Sequence, residues 1–319
     1  MKQKRLIFLL ILFFPFIRAF AQGYSTYMTV AKDGSGNFTS IRKAIESCKA
    51  FPDRRITVFI KNGVYKEKVQ VPAWNTNISI IGQSKDSTVI TFDDYFKKID
   101  KGPNSTFYTA TLQVAGNDFH AENLTIENSA GPIGQAIALD VEADRCSIVN
   151  CNITGNQDAL YAAGENARQY FKGCTITGTT DFIFGEATAL FDSCTMVCKA
   201  GSYITAASTP KNVSYGFVFK DCTIKALPNV RKVYLGRPWR KYAKTVFINC
   251  AMGNVVAPEG WIAWANAGDH QTVFYAEYHS KGSDASARIS WSHQLTKEQA
   301  GQYTTRHIFS GWNPLNDIE

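Results

Sequence analysis

Short apolar and polar runs alternate along most of the 319-residue chain. Residues 56–60 form a compact apolar run, and residues 64–71 alternate with a period of two, as strands with one buried face do. One stretch near the start differs, because residues 41–48 are apolar at helical spacing and Thr39 or Ser40 could cap that helix. The pattern predicts an all-β protein whose short N-terminal helix covers one open end of the β-structure.

From about residue 119 the strand pattern repeats. Each copy has an apolar residue, a spacer, a turn-type residue, then Cys or Leu, a small polar residue, and Ile or Met. The Cys or Leu positions are separated by 27, 23, 20, 28 and 28 residues, and they are Leu124, Cys151, Cys174, Cys194, Cys222 and Cys250. Short strands at this period indicate a solenoid. The sequence lacks the signatures of leucine-rich repeats and of helical repeats, so a single-stranded right-handed parallel β-helix fits best.

Two acidic residues stand among apolar ones at equivalent places in consecutive repeats. Asp158 lies seven residues after Cys151, and Asp181 lies seven residues after Cys174. Equivalent positions on neighbouring coils stack about 4.8 Å apart, so we expect the two carboxyl groups to be neighbours. Their pKa values should separate, because like charges that close do not ionise together easily. Solvated turn aspartates are the ordinary alternative, and the apolar residues beside each acid favour a catalytic pair.

The N-terminal residues predict export. A basic segment at 1–5 precedes the apolar segment 6–17, and Ala19 and Ala21 supply the small residues that a signal peptidase reads. The apolar segment is shorter than the roughly 20 residues that span a bilayer. We therefore expect residues 1–21 to be a signal peptide and the rest, 22–319, to be one catalytic domain that is secreted or periplasmic.

Signal-peptide removal lowers the formal net charge from +7 to +3, because four basic residues and no acidic ones leave. That charge is too small to indicate nucleic acid, and no basic run is interleaved with aromatic residues. It is compatible with an acidic polymer as substrate. No nucleic-acid partner and no membrane contact after cleavage are expected.

The eight cysteines of an exported chain would normally suggest disulfides. Five of them share one repeat position, which indicates small buried core residues. Adjacent coils still bring Cα atoms within disulfide range, so Cys174 and Cys194, on the shortest coil, are the candidate bridge. No Cys-x-x-Cys spacing, no ligand-spaced histidines and no Gly-x-Ser-x-Gly element occur. We therefore expect neither a metal nor another cofactor.

Five ordered motifs lie between residues 63 and 239. They are Gly63-Val64-Tyr65-Lys66-Glu67, Gln135-Ala136-Ile137-Ala138-Leu139, Gln157-Asp158-Ala159-Leu160, Asp181-Phe182-Ile183-Phe184-Gly185 and Leu235-Gly236-Arg237-Pro238-Trp239. Together they resemble the motifs of the pectin methylesterases (pectinesterases), over essentially the whole mature chain. The resemblance implies a right-handed parallel β-helix that hydrolyses methyl esters of polygalacturonate to pectate and methanol. Ala159 replaces a usual Thr, and Gly134 replaces a His common in plant members, which affects substrate contacts more than chemistry.

The resemblance also implies unequal roles for the paired acids. Asp181 would be the nucleophile, held ionised by a charge-assisted hydrogen bond from Arg237. Asp158 would start protonated, donate to the departing methanol, and then act as base toward water. The side-chain amides of Gln135 and Gln157 would donate hydrogen bonds to the tetrahedral oxyanion.

Substrate contacts are expected from residues in or beside these motifs. They are Thr106, Gln135, Tyr161, Phe184, Arg237, Trp239 and Trp264. Thr106 resembles a substrate-binding Thr of the family, and the aromatic faces suit sugar rings. Packing within the solenoid is the alternative for each aromatic residue. The expected partner is methyl-esterified homogalacturonan, bound by a monomer.

Three other functions remain open from the sequence, because a β-helix alone does not decide activity. A polygalacturonate lyase should show clustered acids for calcium and a basic residue for the α-proton. An inverting hydrolase should hold its carboxyl groups roughly 6.5–9.5 Å apart. A non-catalytic polysaccharide-binding solenoid would tolerate replacement of both Asp158 and Asp181.

Overall fold

The computed structural model describes residues 23–264, 270–282 and 284–316, so the predicted signal peptide lies outside the described residues. Parallel strands form three sheets, which we call A, B and C. Sheet A contains β1 (Tyr27–Val30), β2 (Ile56–Ile60), β5 (Ile78–Gly82), β8 (His120–Glu122), β11 (Cys146–Val149), β14 (Arg168–Lys172), β17 (Thr188–Asp192), β20 (Phe217–Lys220), β23 (Lys244–Ile248), β24 (Phe274–Tyr278) and β25 (His293–Gln294). Sheet B contains β3 (Gly63–Lys66), β6 (Thr88–Phe92), β9 (Thr125–Asn128), β12 (Asn152–Thr154), β15 (Thr175–Gly178), β18 (Thr195–Cys198) and β21 (Thr223–Ala226). Sheet C contains β4 (Val69–Val71), β7 (Leu112–Val114), β10 (Leu139–Val141), β13 (Leu160–Ala162), β16 (Ile183–Gly185), β19 (Tyr203–Ala207) and β22 (Tyr234–Pro238).

From β2 to β23 the chain visits sheets A, B and C in turn, and each strand pairs in parallel with its equivalents on the neighbouring coils. Parallel strands joined this way wind almost always with a right hand. The prediction of a right-handed parallel β-helix is confirmed. The described helices are short, and they are α1 (Ile41–Glu46), α2 (Phe96–Ile99), α3 (Lys297–Ala300), α4 (Thr305–Ile308) and the 3-10 segments Gly102–Tyr108, Gly253–Val255 and Ala285–Ala287. Within the described residues, none of the helices has the length and apolarity to cross a bilayer.

The interior of the solenoid is built from stacked equivalent side chains. The rings of Phe171, Phe191, Phe219 and Phe247, which begin four of the repeats, stack with centroids 4.7, 4.5 and 4.3 Å apart. All four side chains are fully buried. One ring per coil therefore forms a continuous column, and the buried apolar area of each coil depends on its neighbours.

The backbone conformation explains why each repeat carries a turn-type residue. It is the first of two residues that separate a strand of sheet A from the next strand or bridge of sheet B, and its φ lies between 47° and 60° in all six copies. These residues are Asn123, Asn150, Gly173, Ser193, Asp221 and Asn249. Left-handed φ favours Gly, Asn and Asp, which explains why the sequence pattern keeps such residues before each Cys or Leu.

The five repeat cysteines point into the core as free thiols. The disulfide expected between Cys174 and Cys194 is not formed, which corrects that prediction. Both thiols instead donate to a carbonyl of the preceding coil, with Cys174 Sγ 3.3 Å from the oxygen of Ile148 and Cys194 Sγ 3.4 Å from that of Phe171. Stacked strand positions satisfy the distance range of a disulfide, but here the thiols serve as small buried side chains.

The predicted N-terminal helix forms as α1, which ends two residues before Cys48. Ser40 is its N-cap, and its side chain accepts a hydrogen bond from the Lys43 backbone N–H. The Glu67 carboxylate accepts from the backbone N–H groups of Ile41 at 2.9 Å and Arg42 at 3.0 Å. The acid of the first motif therefore caps this helix and ties it to the first coils.

Candidate active site

Asp158 and Asp181 occupy the same position on neighbouring coils. Leu160 pairs with Ile183 and Tyr161 with Phe184, and each aspartate stands two residues before its half of the first pair. Both have left-handed backbone conformations, with φ of 63° and 48°. Non-glycine residues in this region are uncommon and concentrate at functional sites. The structure thus brings the two acids together where sheet C begins.

Arg237 reaches Asp181 from β22, two coils away. Its Nε lies 3.0 Å from Asp181 Oδ1 and its Nη2 lies 2.6 Å from Oδ2, so the contact is bidentate. The guanidinium centre also lies 4.1 Å from the ring centre of Tyr203 and 3.8 Å from that of Trp264. Two aromatic faces and a carboxylate fix the position of this cation.

The two carboxyl groups differ in their tendency to hold a proton. Burial raises the pKa of Asp181, which is only 5% exposed, while Arg237 opposes that shift. Burial raises the pKa of Asp158 well above its ordinary range, and the nearby charge of Asp181 raises it further. Asp158 therefore has the higher pKa of the two, and a single proton on the pair resides on Asp158. The split agrees with the sequence prediction, although burial outweighs Arg237 and the pKa of Asp181 is raised.

A local change of register aligns the two predicted glutamines. The backbone N–H groups of Ala138 and Leu139 both donate to the carbonyl of Ala159, so two residues of one coil face one residue of the next. This bulge places Gln135 opposite Gln157 in a parallel bridge. Neither side-chain amide has a hydrogen-bond partner among the described residues, so both can donate to a substrate.

The outward-facing middle residues of sheet C form one row in register. This outer row consists of Gln70, Gln113, Asp140, Tyr161, Phe184, Ala206 and Arg237. The rings of Tyr161 and Phe184 stack 4.6 Å apart, and that of Trp239 lies 5.9 Å from Phe184. Three of the predicted aromatic contacts therefore line one face beside the acids.

Thr106 is nearly buried in a segment beside this face. It sits in the 3-10 segment Gly102–Tyr108, is 8% exposed, and its carbonyl accepts from the backbone and hydroxyl of Thr109. The next residue, Phe107, does reach the face, with its ring centre 5.2 Å from that of Tyr161. Substrate binding by Thr106 stays a prediction, and Phe107 joins the candidate surface.

Sequence reasoning missed two residues that hold the site. Tyr203 stands on the coil after Asp181, accepts its backbone N–H at 2.8 Å, and carries one of the rings against Arg237. Register with Asp181 could have indicated Tyr203, once the coil lengths were known. Lys199 Nζ donates to the carbonyl of Gly155 at 2.7 Å and lies 3.4 Å from Asn156 Oδ1. That ammonium group braces the turn immediately before Gln157, and no motif signals it.

The contacts of Lys199 with Gly155 and Asn156 predict that it positions the catalytic residues. Lys199→Met should lower kcat roughly 10- to 100-fold, because small displacements of reacting groups are costly, while the pH profile keeps its shape. Lys199→Arg should recover most of the rate, since it restores a donor. The matched control is Lys225→Met, an exposed lysine on the next strand of sheet B. Full activity of Lys199→Met would contradict a positioning role.

Within the described residues, no group of three or more His, Cys, Asp or Glu side chains is placed to hold a metal ion. The fold and the site thus define a parallel β-helix protein with a paired-aspartate centre on sheet C. A family model for pectinesterase matches residues 27–311. The chain belongs to the pectinesterase family.

Individual relatives agree with this membership. The chain is 37% identical over 302 residues to probable pectinesterase/pectinesterase inhibitor 13 of Arabidopsis thaliana, covering 89% of this chain and 48% of that protein. It spans about half the length of the first curated relatives that it matches. Pectin methylesterase from carrot superposes with a TM-score of 0.83 at 32% identity, over 89% of this chain and 93% of the other. A pectin methylesterase solved in complex with a hexasaccharide has a TM-score of 0.78 at 29% identity, over 91% and 99%.

Proposed function

We propose that the protein is a pectin methylesterase, which hydrolyses methyl esters of polygalacturonate to pectate and methanol. The observation that carries this proposal is the bidentate contact of Arg237 with Asp181 beside the proton-holding Asp158. One acid is thereby prepared as a nucleophile and the other as a proton donor. Membership of the pectinesterase family supports the same reaction.

In the first step the Asp181 carboxylate attacks the carbonyl carbon of the methyl ester. The carbonyl oxygen becomes an oxyanion, which the amides of Gln135 and Gln157 are free to stabilise. Single oxyanion donors contribute roughly 3–4 kcal/mol in other acyl-transfer enzymes. As the bond to the methoxy group breaks, Asp158 transfers its proton to the leaving oxygen, and methanol departs. The product is an acyl-enzyme, an anhydride between Asp181 and the galacturonyl group.

In the second step Asp158, now a carboxylate, accepts a proton from water. The water oxygen attacks the galacturonyl carbon, the bond to Asp181 breaks, and the galacturonyl group leaves as a carboxylic acid, which then releases its remaining proton to solvent. Asp181 regains its charge beside Arg237, and Asp158 is again protonated. The buried surroundings that raise the pKa of Asp158 favour this return to the starting state.

The substrate is proposed to lie along the outer row of sheet C. Its sugar rings would pack on the partly exposed rings of Tyr161 and Trp239, between which the buried ring of Phe184 lies. A pectin methylesterase similar to this chain was solved with a hexasaccharide, which supports an oligomeric ligand. Trp264 contacts Arg237 and would form the wall of the cleft at that end.

The competing chemistries fit the site less well. Coils stack about 4.8 Å apart, whereas inverting glycosidases hold their carboxyl groups roughly 6.5–9.5 Å apart. A calcium-dependent lyase needs clustered acids, and the described residues contain no such cluster. We therefore place the esterase ahead of the hydrolase, the lyase and a non-catalytic solenoid.

Proton release at constant pH tests the proposed reaction. Highly esterified pectin should consume base steadily in the presence of the protein, because each ester yields a carboxylic acid. De-esterified polygalacturonate should consume none. Equal base consumption on both substrates, or none on either, would count against the esterase.

Action on pectin outside the cytoplasm requires export, and we propose the boundaries of the mature protein accordingly. Residues 1–21 would direct export and 22–319 would form the catalytic domain, acting as a monomer on pectin outside the cytoplasm. Mass spectrometry of the exported protein should give the mass of a chain that starts at Gln22. An uncleaved N-terminus would contradict this boundary.

Replacing Arg237 with alanine should move the activity profile to higher pH. Arg237 lowers the pKa of both Asp181 and Asp158, so its loss raises both values. Asp181 must be ionised and Asp158 protonated, and the two limits of the profile should therefore both rise. Activity at neutral pH should fall and partly return at alkaline pH, with Arg237→Lys intermediate. Arg231→Ala removes an exposed charge as the control, and an unshifted profile of Arg237→Ala would refute the role.

A further inference from the structure

A groove of about 780 Å³ lies at the N-terminal end of sheet C. Helix α1 and the segment Gly102–Tyr108 line its sides, and Gln70 of β4 and Gln113 of β7 lie on its floor. None of the residues predicted from the motifs for catalysis lines it. Its lining therefore has no assigned role in the reaction described above.

The groove continues the surface that carries the candidate active site. Gln70 and Gln113 belong to the same outer row of sheet C as Tyr161 and Phe184. Gln113 is three rungs from Phe184 and Gln70 is four, or about 14 and 19 Å at about 4.8 Å per rung. Phe107 lines the groove and also packs against Tyr161 at 5.2 Å. A polymer lying along the row would pass from one region into the other.

The lining suits an esterified sugar chain. Trp74 and Tyr108 are 53% and 50% exposed, which is high for large aromatic side chains. Such faces pack on the C–H faces of sugar rings, and the partly exposed apolar ring of Pro72 can accommodate a methyl ester. The amides of Gln70 and Gln113 are hydrogen-bonded to each other at 3.0 Å and present further donors and acceptors for hydroxyl groups.

We propose that this groove is a remote subsite, which binds an esterified stretch of the same pectin chain whose reacting ester lies at Asp181. The inference rests on the proposed esterase function and adds a preference for long substrates. Continuity with the outer row favours the substrate chain itself as the occupant. The remote contact raises affinity without touching the reacting atoms, so it acts on KM and leaves kcat unchanged.

The test compares methyl-esterified oligogalacturonides from trimers to dodecamers as substrates. With the wild type, kcat/KM should rise with length beyond the oligomers that cover only Tyr161 and Phe184. Trp74→Ala should lower kcat/KM on dodecamers roughly tenfold, through KM. The same variant should match the wild type on trimers, and Trp74→Phe should retain most of the length effect. Gln70→Ala, from the groove floor, provides a second variant with the same expected pattern.

Tyr27→Ala is the matched control, because Tyr27 is 57% exposed and lies on sheet A, away from the groove. Unchanged dodecamer kinetics in both Trp74→Ala and Gln70→Ala would overturn the remote subsite, as would equal losses on trimers and dodecamers. Absence of methanol release by the wild type at every length would instead overturn the proposed esterase. The two failures are therefore distinguishable.

Discussion

Asp181→Asn is expected to abolish methanol release from pectin, with a loss of kcat on the order of 10⁴-fold or more. Asparagine keeps the shape of the side chain and tolerates the left-handed backbone at φ 48°. Its amide carries no charge and does not attack an ester carbonyl. The loss should therefore be chemical, with substrate binding and folding retained.

The control for Asp181→Asn is Asp221→Asn, which changes the same side chain at a similar backbone conformation, φ 54°, on an exposed turn. Both variants should unfold at temperatures close to that of the wild type. Only Asp181→Asn should lose turnover. Substantial residual methanol release by Asp181→Asn would mean that another group is the nucleophile.

Asp158→Asn should lower kcat roughly 10²- to 10⁴-fold, the usual range for removal of a general acid or base. Asparagine fits the left-handed backbone here too, at φ 63°, but it supplies no proton to the departing methoxy oxygen. Asp181, the proposed nucleophile, and its contact with Arg237 remain. Formation of the acyl-enzyme should become slow, and its hydrolysis should also lose its base.

The leaving group separates these two contributions. Esters of a more acidic alcohol, such as trifluoroethanol, need less protonation when the alcohol departs. Rapid release of about one equivalent of alcohol per Asp158→Asn protein, followed by slow turnover, is expected with such an ester. If the variant shows the same deficit in this first release with methyl and trifluoroethyl esters, Asp158 does not protonate the leaving group.

The β-helix architecture could be predicted from the sequence because the repeat shows the structure of each coil directly. Each coil needs a residue that reverses the chain at positive φ and small or aromatic side chains that stack, and positions such as Asn150, Cys151 and Phe171 show that need. The equal spacing of Asp158 and Asp181 from their cysteines then placed the two acids on one face. Local backbone chemistry and period were sufficient for these conclusions.

Other parts of the site depend on coil lengths that the repeat does not fix. Arg237 lies 56 residues after Asp181, and only the assembled sheet shows that its guanidinium reaches that carboxylate. The bulge at Ala138 that aligns Gln135 with Gln157 has no sequence signature. Lys199 likewise crosses coils to reach Gly155. Contacts between side chains on different coils depend on how the coils pack, so a repeat pattern in the sequence does not predict them.

The expected disulfide was wrong for a physical reason. Disulfide geometry allowed a bond between Cys174 and Cys194, but both thiols are satisfied by carbonyls of the preceding coil. Arg237 contacts Asp181, but burial has the larger effect on that carboxyl group and raises its pKa. Asp181 still ionises before Asp158, because Asp158 lacks a bidentate cation.

A mass balance on highly esterified pectin tests the central claim most directly. Methanol, new carboxylate groups, new reducing ends and unsaturated products would be measured in one reaction with the wild-type protein. The account predicts one methanol for each new carboxylate, with no new reducing ends and no unsaturated products. Chain cleavage without matching methanol would contradict it.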